Sequence, residues 1–332
     1  MSSFSGNVVS EDTALITEVP ASQTAVAGRS LRQLAWRRLK KDKVAMAGGV
    51  VIIILLVVAI FAPLINKLLG IDPYAFNTNL LDRSNSFPIG GSGISADHWL
   101  GIEPASGRDI LARIIVGARI SLTIAILATV LSVAIGVVFG TLAGYMGGWA
   151  DTVISRTMDV MLAFPVLLFS IAILVILGSV DHIFFLQGVL VRMSLLIFII
   201  GFFSWAYIGR VMRGQVLSLR EKEFVDASRS LGARSSRIII RELLPNLVAP
   251  ILVYATLTIP TNILTEAGLS FLGVGIQEPD PSWGKMLSTA QATVQIDPTY
   301  MIFPGIAIFV TVLAFNLFGD GLRDALDPKS SR

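Results

Sequence analysis

No cysteine occurs among the 332 residues, which excludes disulfides and thiolate metal sites. Histidine is almost as scarce: His98 and His182 lie far apart, lack zinc-ligand spacing and read as loop residues. A phosphate-cradling Gly-x4-Gly-Lys-Ser/Thr loop is also missing, because Gly284-Lys285 runs into Met286 and no glycine precedes it at the required distance. The chain therefore does not bind ATP through such a loop. No nucleophile–base pair or metal-ligand constellation is visible either, so no catalytic residue, metal or cofactor is expected.

Charge is the other shortage. Only 15% of residues are charged and 54% are hydrophobic, whereas soluble domains carry about one-quarter charged residues. Composition alone points to a membrane protein. Residues 1–28 contain no Lys or Arg, so the basic start and apolar core of a secretory signal are both lacking.

Long apolar runs are what the chain has instead. Residues 1–43 read as a cytoplasmic N-terminal tail, disordered to about residue 28 and then basic, with seven Lys and Arg against the single acid Asp42 between Arg29 and Lys43. Residues 44–65 are uncharged and long enough for a first span, since a bilayer core needs about 20 helical residues. Residues 66–119, rich in Gly, Pro and Ser, are expected to form an extracytoplasmic segment, and an interfacial helix from which Arg113 and Arg119 snorkel to water fits its end equally well.

Residues 120–318 form a core of five further spans: Ile120–Met146, Val160–Gly178 with a kink at Pro165, Met193–Gly209, Leu247–Thr265 and Tyr300–Phe318. Gly136, Gly140 and Gly144 make a small-xxx-small ladder that suits close helix packing. Arg156 and Asp159 can pair at the mouth of the third span. Glu266, at the far end of the fifth, reads as a structural anchor. Residues 319–332 are expected to be a cytoplasmic C-terminal tail.

One segment is charged. Within the loop over residues 210–246, Ser218 and Glu221 have capping-box spacing, acids (Glu221, Glu223, Asp226) precede bases (Arg229, Arg234, Arg237, Arg241), and Gly232 permits a turn. Phe224, Ala227, Ser228 and Leu231 recur at helical spacing as a narrow apolar ridge. A second helix is expected from about Ser235 to Leu244, with Pro245 marking its end or a kink. From pattern alone, a solvated basic loop between two spans fits equally well.

Asp226-Ala227-Ser228-x3-Gly232-x9-Glu242-x-Leu244-Pro245 resembles the EAA-x3-G-x9-I-x-L-P loop of bacterial ABC-importer permeases. Asp replaces Glu, Ser replaces the second Ala, and Glu242 replaces Ile, while the spacing is intact. Three further stretches are similar to permeases of the dipeptide, oligopeptide and nickel group: HWLGIEPASGRD (98–109), EAGLSFLGVG with PSWGKML (266–287), and GDGLRDALDP (319–328). In the first of these, Ile102 and Glu103 stand where the family has Thr and Asp.

The resemblance runs from about Arg37 to Pro328 and identifies a C-type subunit. It implies an all-α integral membrane protein with six transmembrane helices and the type I importer permease fold. It implies that Glu223, Asp226, Ala227, Ser228, Leu231, Gly232, Leu244 and Pro245 couple the chain to an ATPase. The implied partners are a homologous B-type permease, two cytoplasmic ABC ATPases, an extracytoplasmic solute-binding protein and the lipid bilayer of the bacterial plasma membrane; no nucleic acid is expected. Cargo on this reading is a di- or oligopeptide, with nickel chelates or another small solute as the alternative.

Orientation follows from the bases. With a cytoplasmic N-terminus and six alternating spans, 19 of the 26 Lys and Arg fall inside and 7 outside, the positive-inside bias of such chains. A secondary transporter would carry internal repeats and ionisable groups near the bilayer midplane, and neither is seen here.

Overall fold

The computed structural model describes residues 31–177, 182–183 and 186–327. The tail over residues 1–28 and the last five residues of the C-terminal segment lie outside the described residues. Apart from isolated bridges and a two-residue antiparallel pair, His182–Ile183 with Leu186–Gln187, the described elements are helical.

A short basic helix, α1 (Leu31–Lys41), leads into α2 (Lys43–Ile60), whose start is fixed by Asp42. The Asp42 side chain accepts from the backbone N–H groups of Val44 and Ala45 at 2.9 and 3.0 Å, satisfying two donors the helix cannot use itself. Helix α3 (Ala62–Leu69) follows. Helix α4 (Ile110–Met146) is 37 residues long and begins ten residues before the expected second span. Asp109 accounts for the early start by accepting from the Ala112 N–H at 2.7 Å.

The third span is broken, not kinked. Helices α5 (Gly148–Ala163) and α6 (Val166–Leu177) meet at 83°. Pro165 lacks an N–H and drives the preceding Phe164 into an extended conformation, with ψ of 136°. Helix α7 (Val189–Arg220) overruns the expected span by eleven residues at its C-terminal end. Ser218 is thus helical and caps nothing; the capping box with Glu221 does not form. The overrun is sustained by packing, because Met212 and Val216 stay buried against α4 beyond the apolar run.

That α4–α7 seam is the most extensive in the molecule, and the glycine ladder builds it. A Cβ placed on Gly140 would lie 2.5 Å from the Gly209 carbonyl oxygen, and one on Gly144 would lie 2.8 Å from the Val216 Cβ. No side chain fits there, so the backbones approach directly.

The remaining elements are α8 (Glu223–Ser230), α9 (Ser235–Arg237), a π-helical turn over Ile238–Leu243, α10 (Leu244–Phe271), α11 (Trp283–Ala290) and α12 (Thr299–Leu326). Pro245 begins α10 and does not end a helix, a position where its missing N–H costs nothing. The π turn sits immediately before it, with the Leu244 N–H bonded to the Ile239 carbonyl five residues back. Among the described residues five helices are long and apolar enough to cross a membrane, and the α5–α6 pair makes a sixth if counted as one span. Ile52, Leu122, Ile263, Trp283 and Phe315 join α2, α4, α10, α11 and α12 in one core, while Ile124, Leu174, Leu196 and Ile200 join α4, α6 and α7 in another.

Candidate functional site

The charged segment folds as an elbow at the end of the helix bundle where α4 and α7 finish and α10 starts. Its first arm, α8, carries Glu223 and Asp226 in the first turn and Arg229 in the last, the order that complements the helix dipole. The arm stops in a glycine cap. The Ala233 N–H reaches the Ser228 carbonyl at 3.0 Å, the Gly232 N–H reaches Arg229 at 2.9 Å, and Gly232 sits at φ +76°. No atom lies within 4 Å of where a Gly232 Cβ would be, so backbone conformation, not space, demands glycine there.

One residue anchors this arm. Val225 is fully buried and packs with Val216, Ile238, Leu243 and Leu247, which belong to α7, the π turn and α10. The rest of α8 faces out. Glu223, Asp226 and Ala227 are exposed, Ser228 is half-buried, and Leu231 is 88% exposed. The apolar ridge expected from spacing therefore points away from the protein, with Phe224, Ala227 and Leu231 on its crest. Asp226 is paired only loosely with Arg229, at 3.4 Å, and the Arg229 guanidinium also lies over the Tyr145 ring at 5.6 Å.

Leu244 and Pro245 stand apart from α8, on the second arm. Leu244 packs against the Val225 cluster and Pro245 is exposed. Glu242, in the π turn, is half-buried; its backbone carbonyl accepts from the Asn246 side chain at 2.7 Å. Phe224, Ala227 and Leu231 thus form an exposed apolar ridge rimmed by charge on a short helix.

At the opposite end lies a constellation that local sequence pattern does not reveal. Arg113 does not snorkel; it is 0% exposed and sits 3.0 Å from a Glu278 carboxylate oxygen and 3.7 Å from Glu103. Arg108 of the Gly-Arg-Asp motif also bonds Glu278, at 2.5 Å, and Glu103 at 3.5 Å. The Tyr300 hydroxyl donates to Glu103, and Asp109 bonds His98 Nδ1 at 2.7 Å besides capping α4. Two arginines and two glutamates thus neutralise each other under the segment between α3 and α4. Arg119, by contrast, is exposed. Glu278 lies 165 residues from Arg113, which is why spacing could not pair them.

Within the spans, Glu266 is buried and ties three elements. It accepts from the hydroxyls of Ser121 at 2.9 Å and Ser270 at 2.7 Å, and Ser121 in turn accepts the Trp283 N–H at 3.3 Å. Asn262 similarly links Thr129 on α4 and Ser204 on α7. Among the described residues no group of three or more His, Cys, Asp or Glu is placed to hold a metal ion.

A long-helix bundle with a charged elbow at one end defines a membrane permease, and the comparisons supply the family. Residues 136–332 match the family model described as binding-protein-dependent transport system inner membrane component, and residues 30–88 match the N-terminal TM domain of oligopeptide transport permease C. The chain belongs to this family of ABC-importer permeases, as a C-type subunit.

It is 44% identical to a dipeptide transport system permease protein, DppC, of Alkalihalophilus pseudofirmus over 295 residues, covering 89% of each chain. It is also 44% identical over 294 residues, again 89% of each, to a glutathione transport system permease protein, GsiD, of Shigella flexneri. Among solved structures, an inward-facing MetNI methionine ABC transporter aligns with TM-score 0.51 and 17% identity, covering 66% of this chain and 98% of that one. That likeness supports the type I fold alone. The chain is a multi-pass inner-membrane permease.

Proposed function

We propose that this chain, paired with a related B-type permease, lines the path of a di- or oligopeptide through the plasma membrane, driven by two ABC ATPases and fed by an extracytoplasmic binding protein. The observation that carries the coupling role is the outward ridge of α8, whose buried hold on the bundle is Val225, with Arg229 over the Tyr145 ring beside it. Glu223, Asp226, Ala227, Ser228 and Leu231 meet the ATPase; Gly232 sets the angle between the two arms; Leu244 and Pro245 pass the motion to α10. The relatives' dipeptide and glutathione cargoes favour a peptide over a nickel chelate.

The mechanism is a biased equilibrium. ATP-driven closure of the ATPases stabilises the outward-open arrangement of the permease pair, and hydrolysis removes that bias. The elbow and both termini lie in the cytoplasm, in keeping with the 19 to 7 distribution of basic residues.

Reversing the charge at the exposed Asp226 tests the assignment without disturbing the core. Tagged Asp226→Lys permease is expected to reach the membrane at normal abundance yet retain little ATPase on affinity capture. Undiminished capture would remove α8 as the docking helix.

A further inference from the structure

Two ion pairs bridge α5 and α7, and they differ in kind. Arg213 holds Asp151 with two bonds, at 2.5 and 2.7 Å, in a partly buried fork that closes the seam near the elbow. Further into the bundle Asp159 is shared by Arg210 at 2.5 Å and Arg156 at 3.6 Å. This second group is open: Arg156 is 81% exposed, Arg210 54% and Asp159 49%. Arg210 lies about 15 Å inside the elbow end of α7, ten residues from Arg220.

Acyl chains cannot solvate such groups, which in membrane proteins face water-filled paths or protein. The exposures along α7 separate the two environments. Leu190 and Phe198 are exposed on an apolar side. Tyr207 lies nine residues past Phe198, about 180° around the helix, and shares its side with Arg210. Across from it, Tyr254 on α10 meets the Tyr207 ring edge-on at 6.3 Å between centroids. Helix α7 thus shows one face that suits lipid and one that carries a charged and aromatic strip shared with α5 and α10.

We infer that Arg156, Asp159 and Arg210, with Tyr207 beside them, line the inner part of the solute pathway and take the carboxylate of the cargo. The inference rests on the importer reading above. Two guanidiniums against one carboxylate leave one positive charge unmatched, and the longer Arg156 contact is the one free to retarget. An incoming carboxylate completes the set, and Asp159 remains as an acceptor for an ammonium group. The site is shallow and open, which suits passage more than storage.

The absence of native cysteine makes the chain its own background for thiol chemistry. The assay uses the complete importer in proteoliposomes, with Arg156→Cys, Arg210→Cys and, as the apolar-side control, Phe198→Cys, and radiolabelled dialanine as cargo. Water-soluble thiol reagents are expected to modify the first two and spare the third. Arg156→Cys should raise the apparent KM for dialanine about tenfold, the scale of one charge-assisted hydrogen bond. An aminoethyl reagent, which restores the positive charge, should recover most of that loss, and a sulfonatoethyl reagent should deepen it.

Thiols at 156 and 210 as inert as that at 198 would place the strip in a protein seam and overturn the proposal. Modification at both positions with unchanged uptake would overturn it equally. Wild-type importer that moves no dialanine would instead defeat the peptide reading, while labelling would still decide whether the strip faces water.

Discussion

The two ends of the bundle are held by opposite means. At the far end, charge is largely buried and self-paired: Glu103, Arg108, Arg113 and the one-third-exposed Glu278 pair with one another, and Tyr300 adds a hydroxyl from α12. At the elbow, charge is displayed, and the fastening is one buried valine with an arginine over the Tyr145 ring. A buried network is costly to break and slow to rearrange, because each member loses water that only its partners replace. An exposed ridge on a short helix leaves its contacts to a neighbour. One end keeps its shape by its own contacts; the other, on the proposed coupling role, takes up a partner.

The largest expected consequence of that contrast is at Arg113. Arg113→Ala leaves Glu103 and Glu278 short of a cation and should cost about 3–5 kcal/mol, seen as lower abundance and a lower Tm of the detergent-purified protein. A change within experimental error would mean the cluster is not what holds the segment between α3 and α4.

Next comes Val225→Ala, which removes two buried methyl groups for about 2 kcal/mol. Its effect should stay local: faster proteolysis between α7 and the π turn, with the far end as resistant as before. Proteolysis at both ends together would erase the distinction drawn here. Gly232→Val forces a β-branched residue to φ +76°, worth about 1–2 kcal/mol of strain, with normal membrane insertion and impaired uptake. Uptake at the wild-type rate with normal abundance would count against a coupling elbow.

Leu231→Ser should leave stability within about 0.5 kcal/mol, since the side chain touches little of its own chain. Cargo-stimulated ATPase activity should nevertheless fall several-fold; an unaltered rate would make the ridge a mere solvated face.

The smallest effect belongs to Tyr74, whose hydroxyl donates to Asp280 at 3.0 Å beside the far-end cluster. Burial first, and the Asp280 charge next, push its phenol up to about 12 from 10.0. Stability from this contact is therefore complete below pH 10 and lost as pH rises through about 12. Tyr74→Phe should trail wild type slightly below that window and be the more stable above it, with the phenolate absorbance of wild type titrating late. Titration near pH 10 would dismiss the contact.

Much of the elbow was legible from its residues, because a helix that ends in glycine is written within a dozen positions. Gly232 and the ridge of Phe224, Ala227 and Leu231 are such local features. The capping box at Ser218 failed because burial of Val216 against the α4 glycines outweighs a local cap. Of the two expectations for Pro245, the helix end fails because proline suits a helix start as readily as a stop, and the π turn runs straight into α10. Arg113 illustrates the harder limit. An arginine near a helix start looks the same whether its partner is water or a glutamate brought back from 165 residues away. Glu266 reads as an anchor from its place at the end of a span, but its full burial depends on serines from two helices that no local pattern brings together.

Helix α10 begins at the Val225 cluster and ends beside Glu266, so both grips act on one unbroken rod of 28 residues. Such a rod is about 42 Å long, and a tilt of ~3° at one end displaces the other by ~2 Å. On the proposed coupling role, no chain of side-chain rearrangements is required to carry motion along its length. Leverage alone suffices, provided that Pro250 and Pro260, both inside the rod, do not let it flex.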